Sequence, residues 1–285
     1  MDQSSFFMMT EAFSIDYTDS GKESRKPLEH FHDSYELAFF IRADIDIFVK
    51  DTKYRIQDGD LLLINAYDLH RIFYNPNHEY TRYVIQFKKS FIYELTQTLK
   101  LEPLIHKLQH KQNKKISLTI KQRVRLEEIF RNIVNLRKKL QFRHDDFTLE
   151  PALKLHLLLL LMEYDKLSDL RRNLRELNPT ENQVHDIIQY IDEHYDEAIQ
   201  LDDLTAQFGK SKYYISHLFR EVTRFTFVEY VQYRRVIEAQ KKLLQTDKSI
   251  IDIGMECGFQ SLQHFYRVFK KISKQTPAAY RKENK

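Results

Sequence analysis

Four side chains in the first quarter of the chain could do chemistry together: His30, His32, Glu36 and His70. Imidazole and carboxylate groups suit divalent transition metals. His30 and His32, one residue apart, face the same side if they lie on a strand, and Glu36 joins them at an even offset. The sharper chemistry is a metal ion with open coordination positions, which could support oxygen or isomerase reactions. The plainer one is a polar interior that binds a small effector or satisfies itself. His30, His32, Glu36 and His70 are therefore effector-binding candidates, and no catalytic residue, metal or cofactor is expected.

A second constellation lies in the last hundred residues, and it is repeated. Leu204-Thr-Ala-Gln-Phe-Gly209 resembles Ile253-Gly-Met-Glu-Cys-Gly258, and Ile215-Ser-His-Leu-Phe-Arg220 resembles Phe265-Tyr-Arg-Val-Phe-Lys270. Thr226-Phe-Val-Glu-Tyr230 is matched by Thr276-Pro-Ala-Ala-Tyr280. In each copy a short helix with a small residue inside (Ala206; Gly254) meets a glycine able to take positive φ, and an amphipathic helix follows, which is helix-turn-helix grammar. Ile215, Leu218, Phe219 and Val222, like Phe265, Val268, Phe269 and Ile272, recur at three and four, so that face is expected in a core. The opposite face then presents Lys212, Tyr213, Ser216, His217 and Arg220 in the first copy, and Gln263, His264, Tyr266, Arg267 and Lys270 in the second. Such side chains can read or clamp DNA.

The elements that must position these groups follow from the changing period of the sequence. Tyr35 to Ile41, Ile45 to Val49, Tyr54 with Ile56, Leu61 to Ile64, Arg71 to Tyr74 and Tyr83 to Phe87 read as short strands. Asp58-Gly59-Asp60, Asn65 to Asp68 and Asn75-Pro76-Asn77 supply the turns, so a small sandwich or barrel is expected. After Lys89 the period becomes helical. Leu126, Ile129, Ile133, Leu136 and Leu140 draw one heptad-like stripe, compatible with packing on its own core or with a dimer contact. Phe147 to Leu170 reads as a second, more buried helix, and Arg171, Arg172 and Arg175 up to Asn178-Pro179 as a linker, with Pro179 opening the next helix. Phe227, Tyr230, Val231, Ile237 and Leu244 mark the apolar face of a connector between the two copies. About 18 residues of helix span roughly 27 Å, close to the roughly 34 Å between successive major-groove faces on one side of a duplex.

Composition narrows the functions. Five glycines among 285 residues include no dinucleotide fingerprint and no phosphate loop, and the single Cys257 can close no intramolecular disulfide. That suits a cytoplasmic protein. Met1 to Thr10 carries no visible secretory signal, and the longest apolar run, Leu157 to Met162, is too short to span a bilayer. The net charge of +4 averages unlike parts: Glu181 to Asp203 holds eight acidic residues and no Lys or Arg, whereas Leu204 to Lys285 holds 16 basic against seven acidic residues. The basic excess coincides with the repeat.

Residues from about Val184 to Arg281 resemble the tandem helix-turn-helix domain of the AraC/XylS family of bacterial transcription regulators. The likeness is carried by Asp202-Asp-Leu204 with Phe208-Gly209, Ser211 to Arg220, Tyr230 to Leu244, Ile250 to Gly258, Phe259 to Lys271, and Thr276-Pro277-Ala-Ala-Tyr280-Arg281. It implies base contacts from Tyr213, Ser216 and His217, and from Leu262, Gln263, Tyr266 and Arg267, with Arg220 and Lys270 on phosphates. Arg267 suits guanine and Gln263 adenine, since each can offer two hydrogen bonds to a base edge. His217 stands where the family often has Arg, which implies looser reading by the first copy. Arg224 and Lys274 stand where it usually has glycine, leaving the left-handed helix cap there open.

The histidine cluster is similar, in order and spacing, to the metal ligands of cupin barrels, although after Gly59 the usual proline and glycine are replaced by Asn65 and Tyr67. The fold class expected is thus α+β in two domains. Residues 1–95 would form a cupin-like sensor barrel, 96–175 a helical dimerisation segment and linker, and 179–285 the DNA-binding domain, with helix-turn-helix units at about 201–223 and 250–272. The resemblance implies a non-enzymatic activator, a homodimer partnered by double-stranded DNA, RNA polymerase and a small molecule of the sugar or sugar-derivative class. Two rivals are a cupin metalloenzyme with an accessory DNA-binding domain, and a regulator that answers to no effector.

Overall fold

The computed structural model describes residues 12–20, 29–30, 32–73, 78–110, 114–142, 146–170 and 179–284. The proposed linker around Arg171, Arg172, Arg175 and Asn178 and the turn at Asn75-Pro76-Asn77 lie outside the described residues. The chain divides into two compact units, one of residues 1–50 with 54–176, the other of 177–285 with 51–53. Mixed α+β architecture is as expected.

In the first unit eight strands come first: β1 (Phe13–Ser20), β2 (Glu29–His30), β3 (Tyr35–Arg42), β4 (Asp44–Val49), β5 (Thr52–Gln57), β6 (Asp60–Ile64), β7 (His70–Phe73) and β8 (Tyr80–Phe87). Helices α1 (Lys89–Thr98) and α2 (Glu102–Gln109), strand β9 (Lys115–Ser117), and helices α3 (Ile120–Phe142) and α4 (Leu149–Leu170) follow. The strands form a five-stranded sheet in the order β1-β8-β3-β6-β9 and a four-stranded sheet in the order β2-β7-β4-β5. Strands β1, β2 and β9 escape the periodicity reading: β2 and β9 are two and three residues long, and β1, although Phe13 and Ile15 alternate into the helix-side core, is otherwise polar.

Alternation on the five-stranded sheet makes two cores. Ala38, Phe40, Leu62, Ile64 and Tyr80 meet Ile45, Ile47, Tyr54, Ile56 and Ile72 between the sheets. Leu37, Phe39, Leu61, Leu63, Tyr83 and Ile85 point the other way, into a core with Leu126, Phe130 and Ile133 of α3 and Leu157, Leu160, Leu161 and Tyr164 of α4. Burial on both faces explains why β3 and β6 read as continuous apolar runs. Residues 96–175, expected as a helical segment, thus share one core with the sheet. The α3 stripe is used there: Leu126 and Ile133 are buried, and Ile129, Leu136 and Leu140 pack against them. Intramolecular packing therefore accounts for it. What α4 leaves exposed is a different apolar face, Leu155, Leu159 and Met162.

The second unit is all helix: α5 (Pro179–His194), α6 (Leu201–Phe208), α7 (Lys212–Thr223), α8 (Phe227–Gln245), α9 (Ile250–Glu256), α10 (Leu262–Ser273) and α11 (Pro277–Asn284). Pro179 does open α5, and Ser211, Thr226, Ser249 and Ser261 cap α7 to α10 through their hydroxyls. The connector α8 buries Phe227, Tyr230, Val231, Val236, Ile237, Ala239 and Leu243, whereas Leu244 is only half-buried and Leu243 does the packing expected of it.

The repeat holds in three dimensions. Phe219 meets the edge of Tyr230 at 5.4 Å, and Phe269 meets Tyr280 at 5.8 Å. Small residues differ between the copies: Ala206 is exposed and its size is not needed, whereas a Cβ on buried Gly254 would lie 2.7 Å from the Phe265 ring. Arg224 and Lys274 keep the left-handed cap, with φ of 61° and 60°, without being glycine.

Two glycines separate strain from crowding. Gly209, at φ +63°, has nothing near a would-be Cβ, whereas at Gly258, φ +83°, that atom would lie 2.7 Å from the Asp196 carbonyl oxygen. Urea unfolding of Gly209→Ala is expected to show a loss of about 1–2 kcal/mol from backbone conformation alone, with Gly258→Ala losing clearly more. Arg224→Gly should be stabilising by up to about 1 kcal/mol.

Candidate functional site

The space between the two sheets of this barrel-like unit carries polar groups among apolar ones. Glu36 on β3 pairs in register with Gln86 on β8, and Phe40 pairs with Arg82. The Gln86 amide donates to Glu36 Oε2 at 2.8 Å and lies 3.1 Å from His32 Nε2. His32 Nε2 is 3.2 Å and His70 Nε2 4.0 Å from the same carboxylate oxygen. Each imidazole is oriented from behind: His32 Nδ1–H donates to the Ser34 carbonyl at 2.8 Å, and His70 Nδ1–H to the Asp68 carbonyl at 2.9 Å. Burial alone would raise the Glu36 pKa. The hydrogen bond with His32 and the positive charges of His70, His32 and Arg82 outweigh it, holding the carboxyl below its usual range.

Three of the four expected residues thus converge, though not on one strand. Strand β2 ends at His30, the chain bends at Asp33 and Ser34, and His32 reaches Glu36 from that connection. The expectation of a shared strand face fails because alternation stops where the ladder does. His30 stands opposite His70 in the β2–β7 register, and its side chain lies outside what is described. Tyr67, in the place of a glycine, takes φ 66° and donates its N–H to the His32 carbonyl at 2.7 Å, so the turn before His70 also holds the His32 loop.

Sequence reasoning passed over Arg82 and Gln86. Their guide is parity: Tyr80, Arg82, Val84 and Gln86 alternate on a strand whose odd residues Tyr83, Ile85 and Phe87 enter the helix-side core. The Arg82 guanidinium lies 5.9 Å from the Phe40 ring centre and 5.5 Å from that of Tyr80, and its Nε and Nη1 are buried with no hydrogen-bond partner among the described residues.

In the helical unit, α7 exposes Lys212, Tyr213, Ser216, His217 and Arg220, and α10 exposes Leu262, Gln263, Arg267 and Lys270. Tyr213 is 80% exposed and stacks on His217 at 6.1 Å, so two rings stand in solvent on the outer face of α7. Lys212 is tethered to Asp202 at 2.6 Å. On α10 two expected residues are half-buried: Tyr266 lies against Phe265, and His264 against Phe259, its pKa lowered by burial and by the charges of Arg267 and Arg235. The opposite faces enter the core as expected, except that Ile272 is half-buried.

The comparisons with known proteins agree with this division. Residues 16–135 match the family described as AraC-like ligand binding domain, and residues 204–283 match a helix-turn-helix domain. The regulatory protein SoxS of Escherichia coli K12 is 39% identical over 98 residues, 34% of this chain and 92% of SoxS. The chain belongs to the AraC family. A probable transcription factor of Proteus vulgaris, PqrA, is 38% identical over 103 residues, 35% of this chain and 84% of PqrA. The right origin-binding protein of Escherichia coli K12 is 34% identical over 99 residues, 35% of this chain and 34% of that protein. This AraC-family chain is a DNA-binding transcription regulator with a ligand-binding domain. Among its described residues no helix is long and apolar enough to cross a membrane.

Two arginines hold the family's helix-turn-helix units to their frame. Arg235 on α8 donates to the carbonyls of Tyr195 and Glu197, at the end of α5, each at 2.7 Å. Arg281 on α11 donates to Leu243 at 3.2 Å and to Lys248 at 2.7 Å, at the end of α8. Each guanidinium satisfies carbonyls at the negative end of the helix that precedes a helix-turn-helix unit. The Tyr280-Arg281 ending is therefore structural, with Tyr280 in the core and Arg281 on the backbone. Arg281→Ala is expected to lower stability by about 1.5–3 kcal/mol in urea unfolding of the intact chain, whereas Arg281→Lys should recover only part.

Proposed function

We propose that this regulator reads DNA with α7 and α10 in successive major grooves and activates nearby promoters when a small molecule binds in the barrel. The observation that carries the reading is the pair of exposed polar helix faces built on one connector, α8. Tyr213, Ser216 and His217 on α7, and Leu262, Gln263, Tyr266 and Arg267 on α10, are assigned to base edges. Arg220 and Lys270, with Lys212, are assigned to phosphates. The half-burial of Tyr266 and the Lys212–Asp202 ion pair make these two the residues that must move most on binding.

The effector assigned to the barrel is a sugar or sugar derivative. Hydroxyl groups suit the Glu36, His32, His70 and Gln86 cluster, and an acidic derivative would supply the acceptor that Arg82 Nε and Nη1 lack. His30 is retained as an effector-site candidate on the β2–β7 register. Effector control requires that the small molecule bind two states of the protein with different affinity. Activation would proceed through contact with RNA polymerase in the cytoplasm.

Genome-wide mapping of bound sites, followed by binding measurements on one of them, tests the reading. Arg267→Ala should weaken the specific site by about 1–3 kcal/mol and relax one base position. Lys270→Ala should weaken all sequences about equally and reduce the salt slope by about 1. Equal losses on every sequence for Arg267→Ala would make it a phosphate contact, and DNA affinity unchanged across a metabolite panel would remove the effector.

A homodimer is also assigned, now through α4 rather than α3, because the α3 stripe is in the core while Leu155, Leu159 and Met162 are exposed on one face of α4. Leu159→Glu is expected to shift the sedimentation coefficient to that of a monomer while leaving the far-ultraviolet circular dichroism of the folded chain unchanged, with Tm falling only by what dimer association contributes.

A further inference from the structure

We propose that the outward face of α3 is a second docking surface for DNA, holding the phosphates of a duplex segment other than the one α7 and α10 read. The proposal goes beyond the contacts assigned to the helix-turn-helix units and does not rest on them. Helix α3 carries seven Lys or Arg residues against two Glu. One side of it, through Leu126, Phe130 and Ile133, is fixed in the core, so the other is a rigid exposed face. That face presents Lys121, Arg125, Arg131, Lys138 and Lys139, with Glu128 the acidic residue among them.

Intramolecular demands do not account for these cations. Arg125 lies 3.5 Å from Glu163 and Arg131 3.7 Å from Glu127, whereas Lys121, Lys138 and Lys139 have no ion-pair partner among the described residues. Lys138 and Lys139 suit the negative end of a helix, but the first turn holds Lys121 and Arg123 and no acidic residue, against the helix dipole. Lys121 and Lys139 stand about five turns apart, so they point the same way at the two ends of a row roughly 27 Å long. Such a row can meet phosphates through most of one helical turn of duplex, roughly 34 Å. At its far end α3 closes on Phe142, 85% exposed, and the chain enters α4 past Phe147, 87% exposed. Two aromatic rings in solvent beside lysines match a polyanion that is also apolar within its grooves, where phenylalanine can enter a base step. DNA is the occupant because the chain is a DNA-binding regulator, so duplex phosphate is the polyanion it meets in use.

Fluorescence anisotropy of the full chain on a random-sequence duplex several helical turns long, over a series of salt concentrations, tests the surface. The slope of log affinity against log salt should fall in magnitude by about 2 in Lys138→Gln with Lys139→Gln, and by about one more when Lys121→Gln is added. Lys89→Gln with Lys100→Gln removes the same charge from exposed positions outside α3 and should leave the slope unchanged. Phe142→Ala should weaken binding about fivefold or more at one salt concentration without changing the slope. If the double variant on α3 leaves the slope untouched while Lys270→Ala still lowers it by about 1, the proposal is overturned and the helix-turn-helix reading stands. Equal losses from the two double variants would reduce the effect to net charge and overturn it too. So would phosphatidylglycerol vesicles that bind the parent and not the α3 double variant, with the DNA slope the same in both.

Discussion

The DNA-binding unit depends on the burial of one helix. Along α8, Phe227, Tyr230, Val231, Val236, Ile237, Ala239 and Leu243 are buried, and the helix packs against α7 of the first helix-turn-helix and against α9 and α10 of the second, so both units share a single apolar spine. Even its polar Gln240 is buried, donating to Ser273 at the end of α10 at 2.9 Å. Neither recognition helix can tilt freely without exposing part of that spine, at a cost of about 25 cal/mol per Å² of apolar area uncovered. The separation of the two reading faces is thereby fixed by the length and packing of α8. Arg235 and Arg281 close the same frame from outside, each taking carbonyls that no helix could satisfy internally.

The barrel obeys a different constraint, alternation with both faces of the sheet covered. Along β8 every odd residue from Tyr83 enters the helix-side core, which obliges Arg82, Val84 and Gln86 to face inward. A slip of one residue would move Glu36 and Gln86 into the apolar helix core. The polar cluster is therefore as strongly specified as the apolar core around it. Tyr67, Arg224 and Lys274 likewise take the αL conformation, a region that an L side chain enters only at some cost.

The helical half was legible in the sequence because its signals are local. Caps such as Ser211 and Ser261, glycines at 209 and 258, and apolar steps of three and four act within one or two turns of chain, and the repeat states them twice. The barrel was legible as a set of strands but less so as a site. His32, Glu36 and His70 were nameable from type and spacing, yet the strand face assumed for them dissolved at the bend after His30. Arg82 and Gln86 gave only a parity signal, which says which face a side chain takes and not what it meets.

Sequence by itself determined the architecture, the helix-turn-helix repeat and the basic C-terminal block, since local propensity and periodicity suffice for these. Only the tertiary structure decided which chemistry the barrel assembles, because the partners of Glu36 come from a loop, from β7 and from β8, up to 50 residues away. It likewise decided that the α3 stripe belongs to the core, that Ala206 is dispensable where Gly254 is not, and that Arg281 serves the backbone. Each of these turns on what lies opposite a side chain in space, and a periodic pattern records only that something apolar, small or charged is required there.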